Sequence, residues 1–207
     1  MKLHTERTGE SSTLVATLAA GAETSTGIRA AAVVFIAAAT GAAAQFSIPL
    51  PFTPVPLTLQ DTVVLLGGAA LGSRLGMAAQ LLYLAAGISG LPVFAASAVL
   101  PQGAMRMLGP TGGYLLSYPL AAYVTGRLAE RGLDRHYLTS VVAMIAGLAI
   151  VFAFGVTWLA LFARPAAVGF DAALRAGLYP FLPGDVLKIL IGATVLPTLW
   201  KVLGARC

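Results

Sequence analysis

The chain is a succession of apolar segments about one bilayer long, divided by short polar punctuation. Runs near 28–46, 57–73, 75–90, 112–129, 137–163 and 181–203 carry almost no charge. A membrane-spanning helix needs about 20 mainly apolar residues, because lipid offers no partner for backbone polar groups. Of all 207 residues, 58% are hydrophobic and 10% charged, against about 25% charged in soluble domains. The expected fold class is therefore an all-α membrane protein, a bundle of six transmembrane helices. The second and third segments are short and meet at Gly72-Ser73-Arg74, which implies a tight turn or one broken element. Pro92, Pro101 and Pro110 make 91–111 a loop or re-entrant piece.

The basic residues orient the bundle. With a cytoplasmic N-terminus, Lys2, Arg7, Arg29, Arg74, Arg127, Arg131, Arg135, Lys201 and Arg206 lie inside, and Arg106, Arg164 and Arg175 outside. That asymmetry places both termini in the cytoplasm. It also accounts for the net charge of +5 without a nucleic-acid partner, since the cations sit between apolar runs and form no patch. Residues 1–27 are rich in Ser, Thr and Glu and are expected to form a polar cytoplasmic tail, leaving 28–207 as the transmembrane substrate-binding domain. Cys207 is the only cysteine, and no Cys/His spacing suits a metal. No repeat is visible, which weakens the case for a self-contained alternating-access transporter.

The external connections are then 47–56, 91–111 and 164–180. Pro49, Pro51, Pro54 and Pro56 stiffen the first of them. It reads equally as a lid over a ligand pocket or as a rigid connector. Gly109-Pro110-Thr111-Gly112-Gly113 lacks the Gly-Lys-Ser/Thr ending of a phosphate loop. Tyr114 and Tyr118 share a face and read as interfacial anchors first, or as a stacking surface for a flat ligand. Small residues on the first helix offer two registers for close helix approach, Ala38/Ala42 and Ala39/Ala43.

Asp185 and Lys188 are the expensive residues. Each costs roughly 2.5–3.5 kcal/mol at a helix centre in the membrane, and a spacing of three puts both on one face. They are either a structural ion pair with a capping role or a ligand site. As a ligand site, the carboxylate accepts N–H donors and the ammonium donates to a carbonyl, which suits a cyclic urea, an amide or an amino acid. Asp61, beside Gln60, reads as a solvated interfacial carboxylate. An aspartyl-protease pairing of Asp61 with Asp185 is disfavoured, because a cation three residues away keeps Asp185 ionised.

Taken in order, Ala44-Gln45-Phe46-Ser47-Ile48-Pro49-Leu50-Pro51, Pro54-Val55-Pro56-Leu57-Thr58-Leu59-Gln60, Gly90-Leu91-Pro92-Val93-Phe94, Gly109-Pro110-Thr111-Gly112-Gly113-Tyr114 and Pro183-Gly184-Asp185 with Lys188 resemble the BioY family, the biotin-specific S components of energy-coupling-factor (ECF) transporters. The resemblance runs from about residue 28 to 200. It implies a six-helix S component of a prokaryotic cytoplasmic membrane, with no enzymatic activity and no cofactor, binding biotin under the first external loop. Asp185 would accept from the ureido N–H groups and Lys188 would donate to the ureido carbonyl. Ser97 would stand where the family places a polar side chain, Tyr114 would join the ligand set, and Arg106 or loop backbone would meet the valerate carboxylate. Ala38 and Ala42 would contact the coupling subunit. The implied partners are biotin, membrane lipid, a transmembrane T subunit and an ATPase pair that alone hydrolyses ATP, with a homo-oligomer also open. An S component for another small vitamin, and a structural membrane protein with a buried ion pair, are the alternatives.

Overall fold

A computed structural model describes residues 13–19, 25–96, 101–163 and 167–202. Within them lie helices α1 (Leu14–Ala19), α2 (Ser25–Gln45), α3 (Gln60–Leu71), α4 (Ser73–Ile88), α5 (Gly112–Ala129), α6 (Tyr137–Leu161), α7 (Phe170–Gly177), α8 (Leu182–Gly192) and α9 (Val195–Val202). Two strands, β1 (Ser47–Ile48) and β2 (Leu57–Thr58), pair antiparallel, with Ser47 opposite Thr58 and Ile48 opposite Leu57. By length and composition, three stretches among the described residues are fit to cross a membrane: Thr26–Gln45, Tyr137–Leu161 and Leu182–Val202. At 1.5 Å per residue, the 12 residues of α3 reach only about 18 Å.

α3, α4 and α5 form a tightly seamed unit. Gly72, at φ 87°, is the single residue between α3 and α4, and its left-handed backbone turns the chain into a helical hairpin. At Gly68 a Cβ would collide with the backbone of Ala122, and at Gly126 with the backbone of Gly72 and Ser73. Absence of side chains there lets the three backbones meet. Gln80 on α4 donates to Thr40 on α2 across a buried interface. Leu65, Tyr83, Leu115, Met144 and Leu159 belong to the main core that joins α3, α4, α5 and α6.

The last apolar segment is not one helix, as 181–203 suggests, but α8 and α9 with a turn at Ala193–Thr194. Pro197 lacks the N–H that would bond the Ala193 carbonyl, and its ring crowds that carbonyl, so the ladder breaks there. The 164–180 connection contains α7, whose Asp171 and Arg175 pair on its exposed side.

One end of the bundle gathers the polar turns. Glu130 Oε1 accepts from Ser73 N at 2.8 Å and Ser73 Oγ at 2.7 Å, while Oε2 pairs with Arg127 at 3.0 Å. Glu130 thus supplies the N-cap that α4 lacks locally. Trp200 Nε1 donates to Asp134 Oδ2 at 2.6 Å, tying α9 to the α5–α6 turn, and Arg135 lies over the Trp200 ring. Burial pushes the Asp134 carboxyl above the usual carboxylate range, with the indole N–H working against it. Within the stretch expected to be a polar tail, α1 folds and Leu14 packs beside Ala69, Leu196 and Trp200.

Partial burial works to raise the Glu130 carboxyl, but the Ser73 bonds and the Arg127 charge outweigh it and hold it below 4.5. A carboxylate depressed in the fold stabilises it above its unfolded value, and that stabilisation is lost as pH falls through the depressed value. Glu130→Ala is therefore expected to lower unfolding stability by about 1 kcal/mol at neutral pH. In detergent melts from pH 7 to pH 3, the gap between variant and parent should shrink at the acid end.

Candidate functional site

At the opposite end, α3 and α8 bring three charged side chains together. Asp61 sits in the first turn of α3, and Asp185 in the first turn of α8 after Pro183, where a carboxylate suits the helix N-terminus. Lys188, one turn on, faces both. Its Nζ lies 2.8 and 2.9 Å from the two oxygens of Asp61 and 2.8 Å from the carbonyl oxygen of Thr58. It also forms an ion pair with Asp185 Oδ1. The side chains of Asp61, Asp185 and Lys188 are 13%, 6% and 15% exposed. Asp61 is therefore no solvated carboxylate, as its place near a segment end suggests: the tertiary approach of α8 encloses it. It is the member of this buried charged cluster that sequence reasoning missed. The available signal was that it is the only carboxylate within 57–73.

Above this cluster is a cavity of about 420 Å³, within the usual ligand-pocket range of roughly 300–1,000 Å³. Its walls are Tyr114, Leu115 and Tyr118 from α5, Leu148, Val151 and Phe152 from α6, and Phe94 from the 91–111 connection. The β1–β2 clasp closes the proline-rich loop into a roof, so that Pro49, Pro54 and Pro56 line the cavity. Thr53 Oγ1 donates to Ala176 O at 2.6 Å, fastening this roof to the end of α7. The even choice between lid and connector thus falls to the lid.

Tyr114 and Tyr118 are not interfacial anchors. Both are buried. Gly155 on α6 leaves the space that the Tyr114 ring fills, and Tyr114 Oη donates to Gly177 O at 2.7 Å. Trp158 Nε1 donates to Gly109 O at 3.0 Å, which holds the start of α5 against α6. Gln60 Nε2 donates to Tyr83 Oη at 2.6 Å, and Tyr83 Oη to Val93 O at 3.3 Å. The first turn of α3 is thereby wired to the 91–111 connection as well as to α8.

Arg106 lines the cavity from a short 3-10 turn (Ala104–Leu108). It is 4% exposed, and its Nε has no hydrogen-bond partner among the described residues. The cavity therefore offers carboxylates, a buried guanidinium and an apolar, aromatic lining. Such a site suits a small molecule with N–H donors on one part and an anionic group on another. Ser97 lies outside the described residues. Ala38 and Ala42 are exposed on α2, away from this cavity, whereas Ala43 is buried. Among the described residues no cluster of His, Cys, Asp or Glu is arranged to hold a metal.

Fold and site together define a helical membrane protein with a pocket of small-molecule size. The same fold occurs in the crystal structure of the S-component for biotin from an ECF-type ABC transporter, with a TM-score of 0.77 at 24% identity over 87% of this chain and 94% of that one. Residues 14–205 match the model of the BioY family. The probable biotin transporter BioY of Pyrococcus horikoshii is 40% identical over 75% of this chain and 86% of its own length. Biotin transporters BioY of Rhizobium etli and Thermotoga maritima are 37% and 36% identical, over 70% and 75% of this chain and 78% and 86% of their own lengths. This chain belongs to the BioY family.

The Tyr114 bond carries a direct test of the site's construction. Tyr114→Phe keeps the ring in its glycine notch and leaves the buried Gly177 carbonyl unpaired. It is expected to cost about 1–3 kcal/mol, read as a lowered melting temperature in detergent with helical content unchanged.

Proposed function

We propose that this protein is a biotin-binding membrane subunit that mediates biotin uptake, with Asp185 and Arg106 addressing opposite ends of the vitamin. The observation that carries this reading is the polarity of the cavity. A buried carboxylate, a buried guanidinium whose Nε has no partner among the described residues, and aromatic and aliphatic side chains all line it. Biotin has the matching form: ureido N–H groups on a fused ring, an apolar waist and a carboxylate tail. The ureido ring lies against Asp185 and the Lys188 cluster, Tyr114 and Tyr118 flank the bicycle, and the valerate carboxylate meets Arg106.

The chain lies in a prokaryotic cytoplasmic membrane with α2, α3, α4, α5, α6 and α8–α9 as six spans and both termini inside. Arg127 and Arg135 lie at the α5–α6 turn, at the end away from the cavity, which supports this orientation. Uptake is driven by an ECF module of one transmembrane T subunit and an ATPase pair. The exposed Ala38/Ala42 register of α2 is the one open to that T subunit, since Ala43 faces the interior.

Purified protein should bind radiolabelled biotin saturably, with a dissociation constant below micromolar. Asp185→Asn is expected to weaken binding by about 30-fold or more, as expected when one partner of a buried hydrogen-bonded charge pair is removed. Arg106→Gln should weaken biotin but leave biotin amide, which lacks the carboxylate, almost unchanged. Absence of saturable binding by the folded parent protein rules the biotin reading out.

A further inference from the structure

The core that walls the cavity contains three buried tyrosines, and their hydroxyls are used differently. Tyr83 Oη accepts from Gln60 and donates to Val93 O. Tyr114 Oη donates to Gly177 O. Tyr118, one turn further along α5, lines the cavity and is 5% exposed. Its hydroxyl makes no hydrogen bond among the described residues, and its oxygen is not one of the sealed polar atoms, which belong to Gln80, Gln102, Arg106, Asp134 and Asp185. The hydroxyl is therefore open to the cavity that the residue lines. A buried tyrosine O–H ordinarily has a partner. The ring itself is held from behind: its centroid lies 6.4 Å from that of Tyr83, which Phe94 meets edge-on at 5.5 Å.

Lys188 is the other donor near the carboxylates, and it is saturated. Its three protons face four acceptors: both oxygens of Asp61, Thr58 O and Asp185 Oδ1. It has no N–H left for the ligand carbonyl that the family resemblance assigns to it. We propose that Tyr118 determines specificity at the ureido end of the ligand, its hydroxyl donating to the ring carbonyl in place of Lys188. Asp61 and Asp185 act electrostatically on this hydroxyl, so it shares their part of the cavity. A cyclic urea carries its N–H groups and its carbonyl oxygen on one small ring, and acceptors and a neutral donor in one region match that set. The same negative surroundings disfavour a ligand carboxylate there. A ring without the carbonyl leaves the buried O–H unpaired and is discriminated against. This inference rests on biotin as the ligand and gives Tyr118 a polar contact in addition to its ring face.

Tyr118→Phe removes one oxygen and keeps the ring against Tyr83. The test is equilibrium binding of radiolabelled biotin to the full chain in detergent, with biotin amide as competitor and a thermal melt of the ligand-free protein. The variant should melt with the parent, unlike Tyr114→Phe, because no bond within the fold is lost. It should weaken biotin by about tenfold, the worth of one hydrogen bond at the upper end of the usual range. Biotin amide should lose the same factor, because the lost contact is on the ring and not on the tail. A loss smaller than about threefold for biotin overturns the inference. So does a loss confined to biotin and absent with biotin amide, which would place the hydroxyl at the carboxylate. A melting temperature lowered as in Tyr114→Phe overturns it as well, since the hydroxyl would then be bonded within the fold. Failure of the parent to bind biotin is a different result and falls on the functional reading.

Discussion

Lys188 is a single ammonium held by two carboxylates and a backbone carbonyl in a region largely closed to water. Each partner comes from a different part of the chain: Asp61 from α3, Asp185 from α8 and the Thr58 carbonyl from the hairpin strand. An isolated charge in such surroundings is far more costly than a matched set. The set can be matched only when α3, α8 and the hairpin arrive together. The arrangement of the cavity end follows from this: the roof sits over the cavity because Thr58 must reach Lys188, and α8 sits beside α3 for the same reason.

The connections around 47–56, 91–111 and 164–180 are bound to one another as well as to the bundle. Thr53 joins the first to the third at Ala176, and Tyr114 joins α5 to the third at Gly177. Gln60 and Tyr83 join α3 to the second at Val93. Each bond has a backbone carbonyl as its final acceptor, so position matters there more than the side chain carried by the accepting residue. At the other end the constraint is different in kind. Gly68, Gly72 and Gly126 bring backbones together, and Glu130 and Asp134 lock the turns from outside.

Features that depend on local chemistry were legible in the sequence. The start of α5 at Gly112-Gly113, a break in the chain at Gly72 and the stiffness of the proline-rich loop follow from backbone preferences and hydropathy alone, whereas the loop's place over the cavity does not. Asp185 and Lys188 stood out because their cost in an apolar helix is independent of context. Features that depend on which face meets which neighbour were not legible. Asp61 looks solvated when only its position near a segment end is considered, and only the approach of α8 encloses it. Tyr114 and Tyr118 share a face by spacing, but the Gly155 notch turns that face inward instead of toward the membrane interface. The break between α8 and α9 has its cause in Pro197, yet an apolar run gives no sign of whether a proline bends a helix or divides it.

The glycine seam of α3, α4 and α5 also sets where this architecture tolerates change. A methyl group at 68 or 126 would fall inside a neighbouring backbone, so no side chain fits there without moving a helix. The cavity's roof and one wall, by contrast, hang from connections that begin and end on that frame. Divergence and deliberate redesign are channelled to those connections. A different ligand is reached by re-surfacing the end that holds the cavity, while the frame that presents it stays as it is.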